Sequence, residues 1–458
     1  MNDDSTYTMP AFIDSHLHML ALGKKNDEID LSKTRSIAEA IALAKTYKER
    51  GVIICRDYDQ NGFEEGRHPE KDDLNKISTE KPVMFRRVCR HMCVVNDYLL
   101  KRIVSMDTSR FFHLIDTEKG QLLEDAVLLA DKAFGKPDKE TLKRYLETAG
   151  NQLERHGIVL VASDDFETFD IPHETVIEAY EEAYDEGRLN VKVIQQMRFS
   201  NLKSFHSFLA GGHAREQHGG LTLGPLKLLA DGSLGARTAA LWEDYSDDPQ
   251  NRGVMSINDA SLRQWIDLAN TYDVNAHVHV IGDKAADKVM CAIKSTLDND
   301  PRKHRHALIH AQIISEDTLQ DMRDYDVSAI VQPVFMDRDL AIVKKRLGNR
   351  WKQAYLFHRM REKGIAVGFS SDAPIETTDP FKNIYHAMTR KSLFSPDLKS
   401  LDNDRPFTMK EAIRAYTKVN MDLLGLSASP GTIVLNKNPY ETEINDLLSI
   451  SIKDTTFH

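Results

Sequence analysis

Two histidines two residues apart, His16 and His18, close an apolar run that begins at Ala11. Residues i and i+2 of a strand share one side, so both imidazoles can reach one ion. The theme repeats at other run ends. His277 and His279 end a second run, His310 ends a third, and Asp372 follows Gly368-Phe369-Ser370-Ser371 at the end of a fourth. Each alone has an ordinary explanation as a polar group at a strand end. Together, at the ends of four runs, they predict a metal site. A histidine–carboxylate donor set suits zinc and also iron, manganese or nickel. Lys227 lies among apolar neighbours in Gly224-Pro225-Leu226-Lys227-Leu228-Leu229-Ala230. A buried lysine must pair, shift its pKa or be modified. Carboxylation by carbon dioxide would make it a carbamate anion able to bridge two metals; pairing with Asp231 or another acid is the alternative.

The elements that must position these residues read as strands alternating with helices, the pattern of parallel βα units. Ten strand segments stand out, at 11–16, 52–56, 82–88, 157–162, 191–195, 226–230, 275–280, 307–310, 328–332 and 365–370. A (β/α)8 barrel needs eight. About 140 residues separate His16 from Gly157, far more than one helix requires, so residues 51–134 are assigned to an insertion after the first strand. That insertion carries two strands of its own and lies on the C-terminal face, where barrel enzymes keep their active sites. The barrel is placed at 11–430 and a tail at 431–458. Apolar residues at 37, 41 and 44 predict a helix over 37–49. A doubly wound sheet would want a Gly-rich phosphate loop after the first strand, and Ile13-Asp14-Ser15-His16 offers none.

Composition narrows the class. The chain has 458 residues, 41% hydrophobic and 28% charged, which excludes a disordered or collagen-like protein. A net charge of −10 argues against nucleic acid or an anionic membrane as partner. Four cysteines without a CxxC pair fit a reducing compartment rather than a disulfide scaffold. The acidic start and the lack of any apolar run near 18 residues argue against a signal peptide or a membrane span. The expected location is cytoplasmic, and the expected partner a small-molecule substrate.

Seven segments resemble the metal-dependent amidohydrolase superfamily, in the branch of N-substituted formamide deformylase and YtcJ-like proteins. They are AFIDSHLHML (11–20), PVMFRRVCRHMCVVN (82–96), KLLADGSLGARTAAL (227–241), HVIGDKAAD (279–287), HALIHAQIISED (306–317), VQPVFMDRD (331–339) and GFSSDAPIETTDPF (368–381). The resemblance implies a TIM barrel with an insertion subdomain, and one or two divalent ions, zinc foremost. It implies His16, His18, Lys227, His279, His310 and Asp372 as metal ligands, Lys227 as a bridging carbamate, and Asp372 as proton shuttle. His91 and Asn96 fall on the insertion's HxxxxN segment, so His91 is expected to meet substrate. Asp231, Arg237, Asp283 and Gln332 are expected to orient ligands or substrate, and Arg237 and Arg390 are candidates to hold a substrate carboxylate.

The implied reaction is hydrolysis of a C–N bond, in an amide with N-formyl and N-acyl forms among the candidates, by a metal-activated hydroxide. N-acyl amino acid deacylation, cyclic amide opening and deamination are alternatives on the same site. A degenerate metal-binding scaffold is the non-enzymatic alternative. Relatives usually carry a small β-sandwich, part of it before the first barrel strand. Only ten residues precede Ala11 here, so the sandwich is expected to be missing or vestigial. A homodimer would cover the barrel surface thereby exposed.

Overall fold

Val-, Ile- and Leu-rich runs without alternation are what a parallel sheet covered on both faces requires. In the computed structural model, which describes residues 6–89, 91–297 and 304–458, eight such runs form the barrel. They are β1 (Phe12–Leu17), β2 (Ile158–Ser163), β3 (Lys192–Met197), β4 (Leu221–Leu229), β5 (Ala276–Val280), β6 (Ala307–His310), β7 (Ser328–Val331) and β8 (Val367–Phe369). Each is parallel to the next, in order β1 to β8 around the sheet. Every residue of β2 is buried, as the unbroken sequence Ile-Val-Leu-Val-Ala-Ser demands. The fold is therefore a (β/α)8 TIM barrel.

β4 begins five residues before the expected 226 because the Gly224-Pro225 pair does not stop it. Proline lacks an N–H, and the ladder accommodates it with a register shift opposite, between Gln195 and Met197. The other seven expected barrel strands fall within two residues at their starts.

Among the described residues no regular ladder joins β1 to β8, and side chains bridge the seam. Asn420 donates from Nδ2 to the carbonyl oxygens of Ile13 (2.5 Å) and Phe369 (2.7 Å), one on each edge. Ser15 Oγ donates to the Phe369 carbonyl at 3.1 Å, and the Asp372 N–H to the His16 carbonyl at 2.9 Å. Gly368 is required beside this clamp, since a Cβ there would lie 2.1 Å from Asn420 Oδ1. Asn420→Ala removes the side-chain donor of the Ile13 carbonyl and one of the two at the Phe369 carbonyl, which keeps Ser15, and is expected to cost about 2 kcal/mol of stability. Equilibrium denaturation checks this, and an unchanged midpoint would remove the clamp from the account.

Residues 23–148 form a second compact unit. Its six-stranded sheet runs in the order Ile29–Asp30, Ile53–Tyr58, Val83–Arg87, Met92–Val95, Gln121–Leu123, Ile115–Asp116. The first three strands are parallel and the rest antiparallel. Alternate residues bury on opposite faces: Ile53, Cys55, Val83, Phe85 and Val94 on one, Ile54, Met84, Cys93 and Val95 on the other. The unit is wider than 51–134. The helix Ile37–Lys45 packs Ile37, Ala40, Ile41 and Ala44 onto this sheet. Helical periodicity announces an apolar face but not which sheet will cover it.

The chain ends meet in a three-stranded antiparallel sheet, Tyr7–Pro10 against Gly431–Leu435 against Ile452–Phe457. The third strand reads as polar tail because it is an edge strand, exposed or half-buried along its length. Among the described residues no helix is long and apolar enough to cross a membrane.

Candidate metal centre

The strand-end residues converge at the C-terminal mouth of the barrel. β1 leaves His16 buried and His18 one step beyond its end, and the β8 exit places Asp372 opposite them. Asp372 Oδ1 lies 3.2 Å from His16 Nε2 and 3.3 Å from His18 Nε2. Neither contact is aligned as a hydrogen bond, and this buried oxygen is otherwise unpartnered. The ligand atoms of the three residues all lie within 4.8 Å of one another. Asp372 (φ 55°) and, at the β6 exit, His310 (φ 73°) and Ala311 (φ 43°) occupy the left-handed region that few side chains adopt. Such strain concentrates at functional sites.

The far nitrogens settle the tautomers. His18 Nδ1 lies 3.0 Å from the Asp164 carbonyl oxygen, which can only accept, so Nδ1 carries the proton. His16 Nδ1 lies 2.8 Å from Gln196 Oε1, and His310 Nδ1 lies 2.7 Å from Gln332 Oε1. A neutral imidazole pinned this way presents a bare lone pair at Nε2. With both rings neutral, two such lone pairs and a carboxylate oxygen face one another, a set of acceptors that a divalent cation satisfies. Against the pull of burial, the Asp372 carboxylate raises the pKa of His18, so a proton competes for the same place. The residues therefore fit a divalent metal, with outer partners orienting each ring.

Burial, aided by the charge of Lys227, pulls the His16 and His279 pKa values down to about 4. Burial takes His310 well below its ordinary value. A lowered pKa in a base means the neutral form at pH 7, the form that ligates. Burial opposes the ionised form of Asp372, but the His16 and His18 imidazoles outweigh it and hold the carboxyl well below the usual range.

His279 and His310 extend the cluster, with ring centroids 4.5 Å apart and His310 6.0 Å from His16. His279 Nε2 lies 2.9 Å from the Gly232 carbonyl, leaving Nδ1 as its lone-pair atom. Lys227 is wholly buried, with Nζ 3.4 Å from His16 Nε2 and 3.3 Å from Asp164 Oδ2. The acid that meets Lys227 is thus Asp164, not Asp231. His277 shares its strand side with His279 but lines a cavity of about 490 Å³ with N-terminal β4 residues such as Thr222 and Gly224.

Three residues at this mouth escaped the sequence reading: Asp164 after β2, Gln196 in β3 and Arg198 after β3. The signal was present. Asp164-Asp165 follows the apolar run 157–162, and Gln195-Gln196 ends the run 191–195, so the polar-strand-end rule applied there too. Other expected residues have structural partners. Asp231 accepts N–H bonds from Ala240 (2.9 Å), Ile281 (3.0 Å) and Gly282 (2.8 Å), tying together the loops after β4 and β5. Burial nonetheless pushes its carboxyl up to about 7. Arg237 pairs with Asp247 (3.1 Å), and Asp283 accepts from the Trp242 N–H. Arg390 is buried and bonded to the Leu401 and Tyr355 carbonyls and Asn403, so it has no edge to offer a substrate. In the second unit, His91 is exposed and its Nδ1 lies 2.8 Å from Glu124 Oε2. Asn96 there caps the helix Asp97–Val104 through the Leu99 N–H.

A (β/α)8 barrel with candidate metal donors at its C-terminal mouth is the arrangement of a metal-dependent barrel enzyme, and comparison with known proteins narrows the class to hydrolases. The amidohydrolase family profile matches residues 6–437. The Bacillus subtilis (strain 168) protein YtcJ, named as an amidohydrolase, is 30% identical over 98% of this chain and 87% of its own length. A crystal structure of an uncharacterized metal-dependent hydrolase from Pyrococcus horikoshii OT3 superposes with a TM-score of 0.75 at 28% identity. It covers 96% of this chain and 88% of the other. A second, from Pyrococcus furiosus, gives 0.76 at 27%, covering 95% and 88%. The chain belongs to the amidohydrolase family.

Proposed function

We propose that this protein hydrolyses an amide-type carbon–nitrogen bond in a small molecule, using a divalent cation held by His16, His18 and Asp372. The observation that carries the reading is the convergence of two pinned imidazoles and an unpartnered buried carboxylate oxygen on one point. Zinc is the first candidate for such a donor set. When bound, the ion lowers the pKa of water towards neutrality and polarises a carbonyl. Asp372 accepts the proton of the attacking water and returns it to the leaving nitrogen, the general base becoming the general acid. Gln196 and Gln332 keep the His16 and His310 rings in register. This reading gives His91 no step.

A cation beside His16 Nε2 would sit next to Lys227 Nζ, and burial already disfavours the ammonium. A neutral amine, or the carbamate formed when that amine adds to carbon dioxide with loss of a proton, suits such a neighbour. The carbamate would bring in a second ion through His279 and His310. Four cysteines without a disulfide among them suit a cytoplasmic enzyme.

The test is a panel of N-formyl, N-acyl and cyclic amides with an aromatic amine, assayed with zinc and with the metal removed. Metal-dependent release of amine from an acyclic amide is the expected result. Ammonia from the aromatic amine alone would move the protein to deamination, and no turnover at full metal occupancy would favour a non-catalytic scaffold.

A further inference from the structure

Arg198 stands one residue past β3, at the same mouth as the metal candidates, and is half-buried. Its Nη1 donates to Asp164 Oδ2 at 3.2 Å, the oxygen that lies 3.3 Å from Lys227 Nζ. That is the arginine's only side-chain hydrogen bond or ion pair among the described residues. A guanidinium presents its donors as a planar fork, and with Nη1 committed the Nε–Nη2 edge remains whole. This is the edge that takes a carboxylate with two parallel bonds.

The group is also held in place. Asp164 is buried and fixes one end of it, and Asp164's own carbonyl receives His18 Nδ1. Phe199, next in the chain, is locked among Phe166, Phe205 and Phe208 at centroid distances of 5.8, 5.5 and 5.1 Å. One residue, Asp164, thus touches a metal-site histidine, the buried lysine and this arginine. Arg198 Nη1, Asp164 Oδ2, Lys227 Nζ and His16 Nε2 follow one another at 3.2, 3.3 and 3.4 Å, which keeps the guanidinium within the length of a small amide substrate from the candidate metal position. The two arginines expected from sequence to serve this purpose, Arg237 and Arg390, are both engaged elsewhere.

We infer that Arg198 receives a carboxylate on the substrate, so that the amide cleaved belongs to an N-acyl amino acid or a similar anionic amide. The inference rests on the hydrolase reading above and names its substrate class. Specificity of this kind comes from a charged donor pair that a neutral analogue leaves unused.

The experiment compares N-formyl and N-acetyl derivatives of glycine and leucine, each as free acid and as methylamide, on the wild type and on Arg198→Met and Arg198→Lys. Metal content and melting temperature verify that each variant is folded and loaded. The wild type is expected to favour the acid by about 100-fold in kcat/KM, and Arg198→Met to bring that ratio close to one, mainly through KM. Arg198→Lys restores part of the preference, having the charge without the fork. A wild-type ratio near one, or an unchanged ratio in Arg198→Met, overturns the inference. If neither acid nor methylamide is hydrolysed, the hydrolase reading is what fails, and calorimetric titration of the wild type and Arg198→Met with N-acetylglycine decides the seat by itself. Binding by the wild type alone supports it; equal binding, or none, overturns it.

Discussion

Asp372→Asn will lower turnover by about 1,000-fold while the protein stays folded. The replacement keeps the shape of the side chain and tolerates the left-handed backbone at φ 55°, which asparagine adopts more readily than most residues. The charge and the basic oxygen are lost. In the wild type that oxygen faces His16 Nε2 at 3.2 Å and His18 Nε2 at 3.3 Å. An amide there cannot take a proton from water or pass one to a leaving nitrogen. It also offers the ion a neutral oxygen in place of an anion, so metal per chain must be measured beside kcat. Loss of kcat at full metal content isolates the proton-transfer role; loss in step with metal assigns the residue to ligation. Wild-type kcat with full metal would remove Asp372 from the mechanism.

His16→Ala combined with His18→Ala will take stoichiometric metal binding below about a tenth of the wild-type level and activity with it, because the three-point donor set is left with one member. Each ring is held by its own outer partner, Gln196 Oε1 at 2.8 Å and the Asp164 carbonyl at 3.0 Å, so the wild-type donors are oriented before an ion arrives and the double variant loses both. Inductively coupled plasma mass spectrometry on protein prepared without chelator, with circular dichroism for the fold, checks this. A wild-type count near two ions per chain would support carboxylated Lys227, and one ion a neutral lysine. Metal retained in the double variant would place the centre elsewhere.

Much of the barrel was legible because its strands are buried on both faces and therefore unbroken in apolar character. The histidines at their ends were legible for the complementary reason: polar groups immediately after such runs are out of place unless they do something. The tail strand Ile452–Phe457 was not legible, since an edge strand with Lys453 and Asp454 exposed carries no apolar signal. Nor was the membership of the Ile37–Lys45 helix in the second unit, because its partner sheet is assembled from strands beyond residue 50.

Within the site the division is sharper. Spacing alone put His16 with His18 and His277 with His279, since a period of two residues is a property of any strand. Which side chains from different strands meet depends on closure and stagger around the barrel. Register sets Lys227 level with His277 and Leu229 level with His279, so His279 stands nearer the mouth and His277 lines the cavity with the N-terminal β4 residues. The succession of β2, β3 and β4 hands Asp164 to Arg198 and Lys227, a triad whose members lie far apart in sequence. The sequence by itself determined the barrel strands and the donor types, because these follow from local periodicity and from what each side chain can ligate; the class of chemistry it implied only through the resemblance of seven segments to a known family. The tertiary structure decided the tautomers, the partner of Lys227 and the arginine left with an open edge, because each is a distance across strands that no local pattern encodes.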